Sequence, residues 1–425
     1  MKNRFADENF AFSLLTFFTF PLVNMKPQNF VAESFPVSAN VAKMKMSSTL
    51  KAGQTAANLR EQGFDVIDLT LGEPDFPTPE FIKEYAWEGL QKGLTKYTPT
   101  AGLKTFQESI VGFYAKEFGA NFSPKEIIAT DGGKQALFNA ACTLLNPGDE
   151  VLIPKPYWVT FPEIANFINA KSIFIETEET NFILTAEQVK NSITDKTKLL
   201  IVNSPNNPTG RVIPADEIRR IVEVCAGKNV YVLTDECYLF FAYPPAEVFT
   251  SASLPEDLRQ FVCVAGSFSK TYAMTGWRIG YTIANEDWTR EMTKLQSHST
   301  SHPTSFVQYA CGRAMENHAG SKAAVGAMLA EYERRKDWLI PALQAIENFK
   351  CAMPEGAFYA FVDVRNLLGD RFKTSADFAD FLLNKSHVVV TDGEGFGADG
   401  FLRFSYATSM ENLQNAVERI RKVLK

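Results

Sequence analysis

The sequence predicts an α/β protein: a mostly parallel central sheet with helices on both faces, followed by a smaller α+β domain. Three observations carry this expectation. From residue 126 to residue 285, short β-rich runs alternate with helical segments, the pattern of βα units whose sheet is covered on both sides. Beyond that point the chain changes to a long helical stretch and a few strands. The 425 residues are 45% hydrophobic and 22% charged, enough apolar material for a large core and for two or three domains of roughly 150 residues.

In chain order, the first segment is the least regular. "FAFSLLTFFTFPLV" (Phe10 to Val23) is an apolar run behind Lys2 and Arg4. It reads either as a secretory signal or as an extension outside the fold, with Met25 as a possible true start. Asp7 and Glu8 sit where a signal carries positive charge only, and no small-residue cleavage site follows closely. The run is too short and too rich in threonine for a spanning helix. Residues 1–37 are therefore read as an extension. "MSSTLKAGQTAANLREQG" has helical spacing and ends in glycine, and "DVIDLTLGEPDFPTP" is a strand running into a proline-rich loop. This segment, 38–75, has no sheet of its own and is expected to pack with the small domain.

The large domain is expected over 76–320. Its strands are "EIIAT" (126–130), "EVLIP" (150–154), "SIFIET" (172–177), "KLLIVN" (198–203), "VYVLTD" (230–235), "FVCVAG" (261–266) and "GYTIAN" (280–285), and the helix "GKQALFNAACTLLN" follows the first. A helical stretch from about 304 to 349 leads into the small domain, 321–425. That domain has strands "FYAFVDV", "HVVVT" and "FLRFSYA" and helices "SADFADFLLNK" and "MENLQNAVERIRKVLK". There is no internal repeat and no low-complexity tract.

The formal net charge of -6 points away from nucleic acid and from anionic membrane surfaces. Six cysteines without a CxxC or a regular spacing read as reduced residues of a cytoplasmic protein. Four histidines form neither HxxxH nor HExxH, so no metal site is expected.

Chemistry is expected in the loops at the carboxyl ends of the parallel strands, where such folds bind ligands. "TDGGK" (Thr130 to Lys134) follows a strand and opens a helix. Gly132 and Gly133 would let backbone N–H groups approach an anion at a helix N-terminus, although a plain glycine turn reads the same way. "NSPNNPTG" (Asn203 to Gly210) is a ligand loop or simply a turn. Asp235 and Tyr238 end another strand, in "VLTDECY", where an aspartate is more often a cap than a catalyst. "SFSKTYAMTGWRIGY" (Ser267 to Tyr281) places Ser267, Lys270 and Arg278 after a further strand. If these loops converge, they bring together an anion cradle, a lysine, an isolated carboxylate and a phenol. That set suits pyridoxal 5′-phosphate. The lysine would form a Schiff base, the carboxylate would pair with the pyridinium nitrogen, a phenol and an amide would bond the ring hydroxyl, and arginine, serine and the helix N-terminus would hold the phosphate.

With these motifs in order, the chain resembles the class I pyridoxal-phosphate aminotransferases of fold type I, from about Ser38 to the C-terminus. The resemblance implies Lys270 as the Schiff-base lysine and Asp235 as the pyridinium partner. It implies Tyr238 and Asn207 at the ring oxygen, and Ser267, Arg278, Gly132, Gly133 and Lys134 at the phosphate. Trp158, in "KPYWVTFPE", would stack on the ring. Tyr97, in "KYTPTAGL", would reach the phosphate of a neighbouring subunit, which implies a homodimer with shared sites. Arg403, in "FLRFSYATS", would clamp the substrate α-carboxylate. Phe401, Arg403 and Ser405 share one strand face. Gly72, in "LGEPDF", would meet the same carboxylate.

"KMSSTLKA", "GGKQALFNA" and "QSHSTSHPTSFVQ" are most similar to a bacterial and plant subgroup acting on aspartate, glutamate and sometimes prephenate. That likeness places Lys134, Ser48, Thr49 and Ser299 of a partner subunit at the distal carboxylate, with Trp158 and Asn207 also lining the substrate. Lys45 would add charge at the pocket mouth, which keeps prephenate open as a substrate. Phosphate neutralisation alone is the plainer reading of Lys134. Asp392 departs from the proline of many relatives and puts that loop's shape in question. The expected reaction is ping-pong transamination between an amino acid, with aspartate first, and 2-oxoglutarate. Prephenate, aromatic or neutral donors, or a lyase on the same fold, are the alternatives. A cofactor-sensing transcription regulator would need a DNA-binding domain ahead of Ser38, and the segment there lacks a basic helix pair.

Overall fold

The computed structural model describes residues 35–46 and 48–425, without the side chains of residues 48–52. The apolar run Phe10–Val23 lies outside the described residues. Of residues 1–38, those described are exposed coil, and Ala39–Lys425 forms one compact unit.

Its described residues form thirteen strands: β1 (Ile67–Asp68), β2 (Ile127–Thr130), β3 (Glu150–Lys155), β4 (Lys171–Glu176), β5 (Thr197–Asn203), β6 (Tyr231–Asp235), β7 (Val262–Ser267), β8 (Gly280–Ile283), β9 (Lys350–Cys351), β10 (Tyr359–Asp363), β11 (Val388–Val389), β12 (Thr391–Asp392) and β13 (Phe401–Ser405). Strands β2 to β8 build one seven-stranded sheet in the order β2-β8-β7-β6-β5-β3-β4. Every pair is parallel except the two made by β8, which runs antiparallel between β2 and β7. The seven expected strands all form, each within two residues of its expected ends. "GYTIAN" stops early because Asn285 turns outward and caps the next helix, accepting from the Trp288 N–H at 2.8 Å.

Period-2 alternation explains why the sheet is buried on both faces. On β5, Leu199 and Ile201 point into one apolar layer with the helix Gly133–Leu144. Leu200 and Val202 point into the other, with the helices Lys104–Phe118 and Ala215–Ala226. A third core lies under the four-stranded antiparallel sheet β12-β13-β10-β9 and collects Leu339, Leu343, Val362, Leu402, Phe404 and Leu413. Strand β1 pairs in parallel with β11, so Ile67 and Leu69 enter this third core.

Two expectations need correction. The helical stretch 304–349 is two helices, Ser305–Glu316 and His318–Gln344. They break at Asn317, whose side chain caps the second by accepting from the Gly320 N–H at 3.1 Å. "HVVVT" is not one strand. Val388–Val389 pair with β1 while Thr391–Asp392 pair with β13, because the run serves two different sheets in succession. The short strand β9 went unread. Its two residues carry no alternation of their own and are defined by their partners on β10.

The antiparallel β8 positions the site. Gly280 faces Thr130 at the end of β2 and Ser267 at the end of β7. A Cβ at Gly280 would stand 2.7 Å from the Gly132 carbonyl carbon, 2.8 Å from the Gly133 nitrogen and 2.8 Å from the Gly266 oxygen. These are backbone atoms and cannot swing aside. Gly280→Ala is therefore expected to lower unfolding free energy by about 1–3 kcal/mol through overpacking, read from urea denaturation. An unchanged midpoint would show that this junction relaxes freely.

Candidate active site

The carboxyl ends of β5, β6 and β7 lie side by side, with Asn203 opposite Asp235 and Asp235 opposite Ala265 in register. Each strand hands the chain to a loop carrying one of the expected residues, so the sheet itself assembles the site. Asn203 locks two of these loops together. Its Nδ2 donates to the Asp235 backbone oxygen at 3.0 Å, and its Oδ1 accepts from the Asn207 N–H at 2.8 Å.

The anion cradle forms at the start of the helix Gly133–Leu144. Gly132 sits at φ 81°, a left-handed conformation that glycine adopts without steric cost. A Cβ there would meet the Arg278 guanidinium at 2.6 Å, and one on Gly133 would meet Ser267 at 3.3 Å. The turn thus presses bare backbone against Arg278 and Ser267. Arg278 itself holds φ 51° and donates to the Thr275 and Asp131 carbonyls at 2.8 and 3.2 Å. A non-glycine residue held left-handed marks a constrained position.

Lys270 lies in the short helix Phe268–Thr271, which Ser267 caps by accepting from the Ser269 N–H at 3.1 Å. Its Nζ donates to the Gly72 carbonyl. Burial pulls its pKa below the ordinary lysine value, because removing an ammonium from water disfavours its charged form. Asp235 is buried, and its Oδ1 accepts from the Cys237 N–H at 3.1 Å. Burial pushes its carboxyl up to about 6, against the opposing effects of Cys237 and of Lys270. The Tyr238 hydroxyl lies 2.7 Å from that of Tyr359.

Arg403 is the largest fully buried side chain. Nη1 donates to Asn207 Oδ1 at 2.9 Å, and Nη2 donates to the Thr70 carbonyl at 2.7 Å and to Thr391 Oγ1 at 3.4 Å. Its guanidinium carbon lies 4.5 Å from the Tyr359 ring centre and 5.1 Å from that of Phe396. Burial lowers its pKa. Its hydrogen bonds go to neutral oxygens, and Nε is buried without a partner. A buried guanidinium that meets only neutral oxygens could take a carboxylate as its counter-charge.

Lys134 is exposed, with Nζ 5.0 Å from the Trp158 ring centre. Partial desolvation, then repulsion by Arg278, lowers its pKa, an effect that solvent screens. Lys134 and Lys45 line the same cleft of about 1230 Å³, together with Asp392 and Glu394. Asp392 answers the question of its loop's shape. Its carboxylate accepts from the Glu394 and Gly395 N–H groups at 3.1 and 3.4 Å, turning the chain without a proline.

Not every expected residue joins this group. Tyr97 is 91% exposed and stands edge-on to His302. Ser299 is exposed, and its hydroxyl donates to the Gln296 carbonyl of its own turn at 3.3 Å. Ser48 and Thr49 open the helix Ser48–Glu61, but their side chains lie outside the described residues. Sequence reading missed Thr70, Thr391, Phe396 and Tyr359, which surround Arg403. None left a signal of its own, since even Tyr359 in "AFYAF" is ordinary for an apolar strand.

The residues present fit pyridoxal 5′-phosphate. The bare glycine turn with Ser267 and Arg278 could hold its phosphate. Asp235, buried and in no ion pair among the described residues, could hold a protonated ring nitrogen. Tyr238 and Asn207 could reach a ring oxygen, and Trp158 could cover the ring.

Comparison with known proteins agrees with this geometry. The family described as "Aminotransferase class I and II" matches residues 65–420. A probable aspartate/prephenate aminotransferase of Aquifex aeolicus is 39% identical over 91% of this chain and 98% of that protein. An aspartate aminotransferase of Bacillus sp. YM-2 is 41% identical over the same shares. The aspartate aminotransferase of Thermus thermophilus, solved with maleate, superposes with a TM-score of 0.87 at 38% identity, covering 92% of this chain and all of that one.

The buried carboxyl makes a pH prediction. Asp235 rises from an ordinary 3.8 to about 6 on folding. A raised carboxyl stabilises the fold fully below its unfolded pKa and loses that contribution as pH rises through the folded one. In the cofactor-free protein this costs on the order of 3 kcal/mol between about pH 4 and 6. Glu236, pushed up to about 7 by burial, adds a parallel fall. Asp235→Asn should remove the first part and leave the second, so urea unfolding from pH 4 to 7 should give a shallower profile. Superimposable profiles would show that Asp235 is already charged when folded.

Proposed function

The chain belongs to the class I and II aminotransferases, enzymes dependent on pyridoxal 5′-phosphate, and we propose that it moves the amino group of aspartate to 2-oxoglutarate in ping-pong order. The observation that carries the dicarboxylate reading is a pair of cations, Arg403 and Lys134, neither in an ion pair with a carboxylate among the described residues. Relatives named for aspartate and for aspartate/prephenate, and a similar structure solved with maleate, support it.

When bound, the cofactor supplies the aldehyde that takes up an amino group and the conjugated ring that spreads negative charge from Cα. Ser267, Arg278 and the Gly132–Gly133 turn hold its phosphate. Asp235 holds a proton on the ring nitrogen, because a cation beside it reverses the cost of its burial. Tyr238 and Asn207 bond the ring oxygen, and Trp158 covers one ring face. Arg403, with Gly72 beside it, grips the substrate α-carboxylate and so fixes the direction of the Cα–H bond. Lys270 Nζ, its charged form disfavoured by burial, would take the proton from Cα and hold it for transfer. Lys134, Ser48 and Thr49 meet the distal carboxylate.

The exposed Tyr97 and Ser299 are part of the same proposal: both would serve the site of a second copy in a homodimer, in the cytoplasm. So is the division into a large domain, 76–320, and a small one, 321–425, with 38–75 packed on the latter. Lys45 at the cleft mouth favours prephenate as a second amino acceptor.

Purified protein should carry visible cofactor absorbance and turn over aspartate with 2-oxoglutarate faster than with neutral aliphatic donors. A product assay without any keto-acid acceptor separates a lyase, which needs none. Lys270→Ala should abolish turnover, keep the fold, and still bind cofactor noncovalently. Near-wild-type transamination by that variant would refute the assignment of Lys270.

Lys134→Ala should lower kcat/KM for aspartate about tenfold and for alanine little, because only aspartate carries the second carboxylate. Equal losses for both donors would assign Lys134 to the phosphate alone.

A further inference from the structure

Tyr359 opens β10 and is fully buried, and its side chain stands among three separate parts of the site. It lies 2.7 Å from the Tyr238 hydroxyl, with the two rings edge to face. It stands 3.2 Å from where a Cβ on Gly72 would be. Its ring face carries the Arg403 guanidinium, 4.5 Å from the ring centre. The backbone holds it in register with Ser405, two residues beyond Arg403, so the placement follows from strand pairing.

Two hydroxyls that share one hydrogen bond have two protons between them, and one proton is used in the bond. If Tyr238 donates, it has no proton left for a ring oxygen, and Tyr359 must place its own proton elsewhere. The charged neighbour there is Arg403, a donor with no acceptor atom. If Tyr359 donates, the Tyr238 proton is free and both hydroxyls are satisfied. The cation against its ring face favours Tyr359 as the donor, since positive charge makes a phenol more acidic. The other ionisable group facing the pair is the Cys237 thiol, which is held protonated by burial.

We propose that Tyr359 is a positioning residue: it donates to Tyr238, aims the Tyr238 proton at the cofactor's ring oxygen, and links that hydrogen bond to the charge state of the Arg403 site. This rests on the cofactor reading of the site. It assigns to the chain a path from the substrate carboxylate, through Arg403, Tyr359 and Tyr238, to the ring. A carboxylate that neutralises Arg403 weakens Tyr359 as a donor, and Tyr238 in turn.

The test uses holoenzyme and the pH titration of the visible absorbance of its bound cofactor. A hydrogen bond to the ring oxygen favours the more anionic form, so weakening it moves the titration midpoint upward. Tyr359→Phe keeps the ring and removes only the hydroxyl. It should raise the midpoint on the order of half a pH unit, less than Tyr238→Phe does. The double variant should match Tyr238→Phe alone, because Tyr359 acts through Tyr238. Maleate, added as a non-reacting dicarboxylate, should shift the wild-type midpoint and shift that of Tyr359→Phe less. Urea unfolding of each variant separates loss of fold from loss of the bond. A Tyr359→Phe midpoint equal to wild type while Tyr238→Phe moves, or additive shifts in the double variant, overturns the proposal and leaves the function standing. Absence of cofactor absorbance in the wild-type protein overturns both.

Discussion

A buried positive charge without a negative partner organises this molecule. Arg403 has almost no access to solvent, and its hydrogen bonds go to neutral oxygens. Taking a guanidinium out of water is costly unless its N–H groups are satisfied. Each group that helps satisfy Arg403 comes from a different part of the chain: Thr70 after β1, Asn207 after β5, Thr391 on β12 and the Tyr359 ring on β10. The seven-stranded sheet, the four-stranded sheet and the short β1-β11 pair must therefore meet at one point. Nε is buried and carries no hydrogen bond.

Close backbone packing supplies the second half of the design. Gly132, Gly133, Gly266 and Gly280 occupy positions where a side chain would strike a neighbour. A Cβ on Gly266 would fall 2.3 Å from the Tyr281 ring. The absence of side chains lets β2, β7 and β8 approach until the turn at Gly132 rests on Ser267 and Arg278. A second junction works the same way across the cleft. The Gly210 carbonyl accepts from both the Glu355 and Gly356 N–H groups at 2.8 Å, and Arg211 pairs with Glu355 at 3.0 Å. These bonds hold the loop of Asn207 against the chain entering β10, so Asn207, Tyr359 and Arg403 keep their spacing together.

The central sheet was legible because its signal is local. Each strand is a short apolar run closed by polar punctuation, and burial on both faces leaves little ambiguity about type. The residues at the ends of those strands were legible for a related reason. Asp235, Lys270 and Arg278 are each ambiguous alone, an aspartate at a strand end reading as a cap, and they asked for a chemical explanation only as a set with the other motifs in order. Tyr359 gave no such signal, because a tyrosine in an apolar strand is ordinary. The splitting of "HVVVT" between two sheets was equally silent, since hydrophobic pattern specifies that a segment is extended and not which partner it takes.

By itself, then, the amino-acid order determined the elements, the fold class and the identity of the groups that close each strand. These depend on short-range spacing, which a linear chain carries in full. Tertiary structure alone decided which groups meet. The left-handed turn of Gly132 faces Arg278, which lies more than a hundred residues away in sequence. Arg403 bonds Thr70 across a separation of 333 residues, and two phenols 121 residues apart share one hydrogen bond. Such contacts are set by strand register and by the exclusion of water from their meeting point. Neither quantity is a property of any local stretch of sequence.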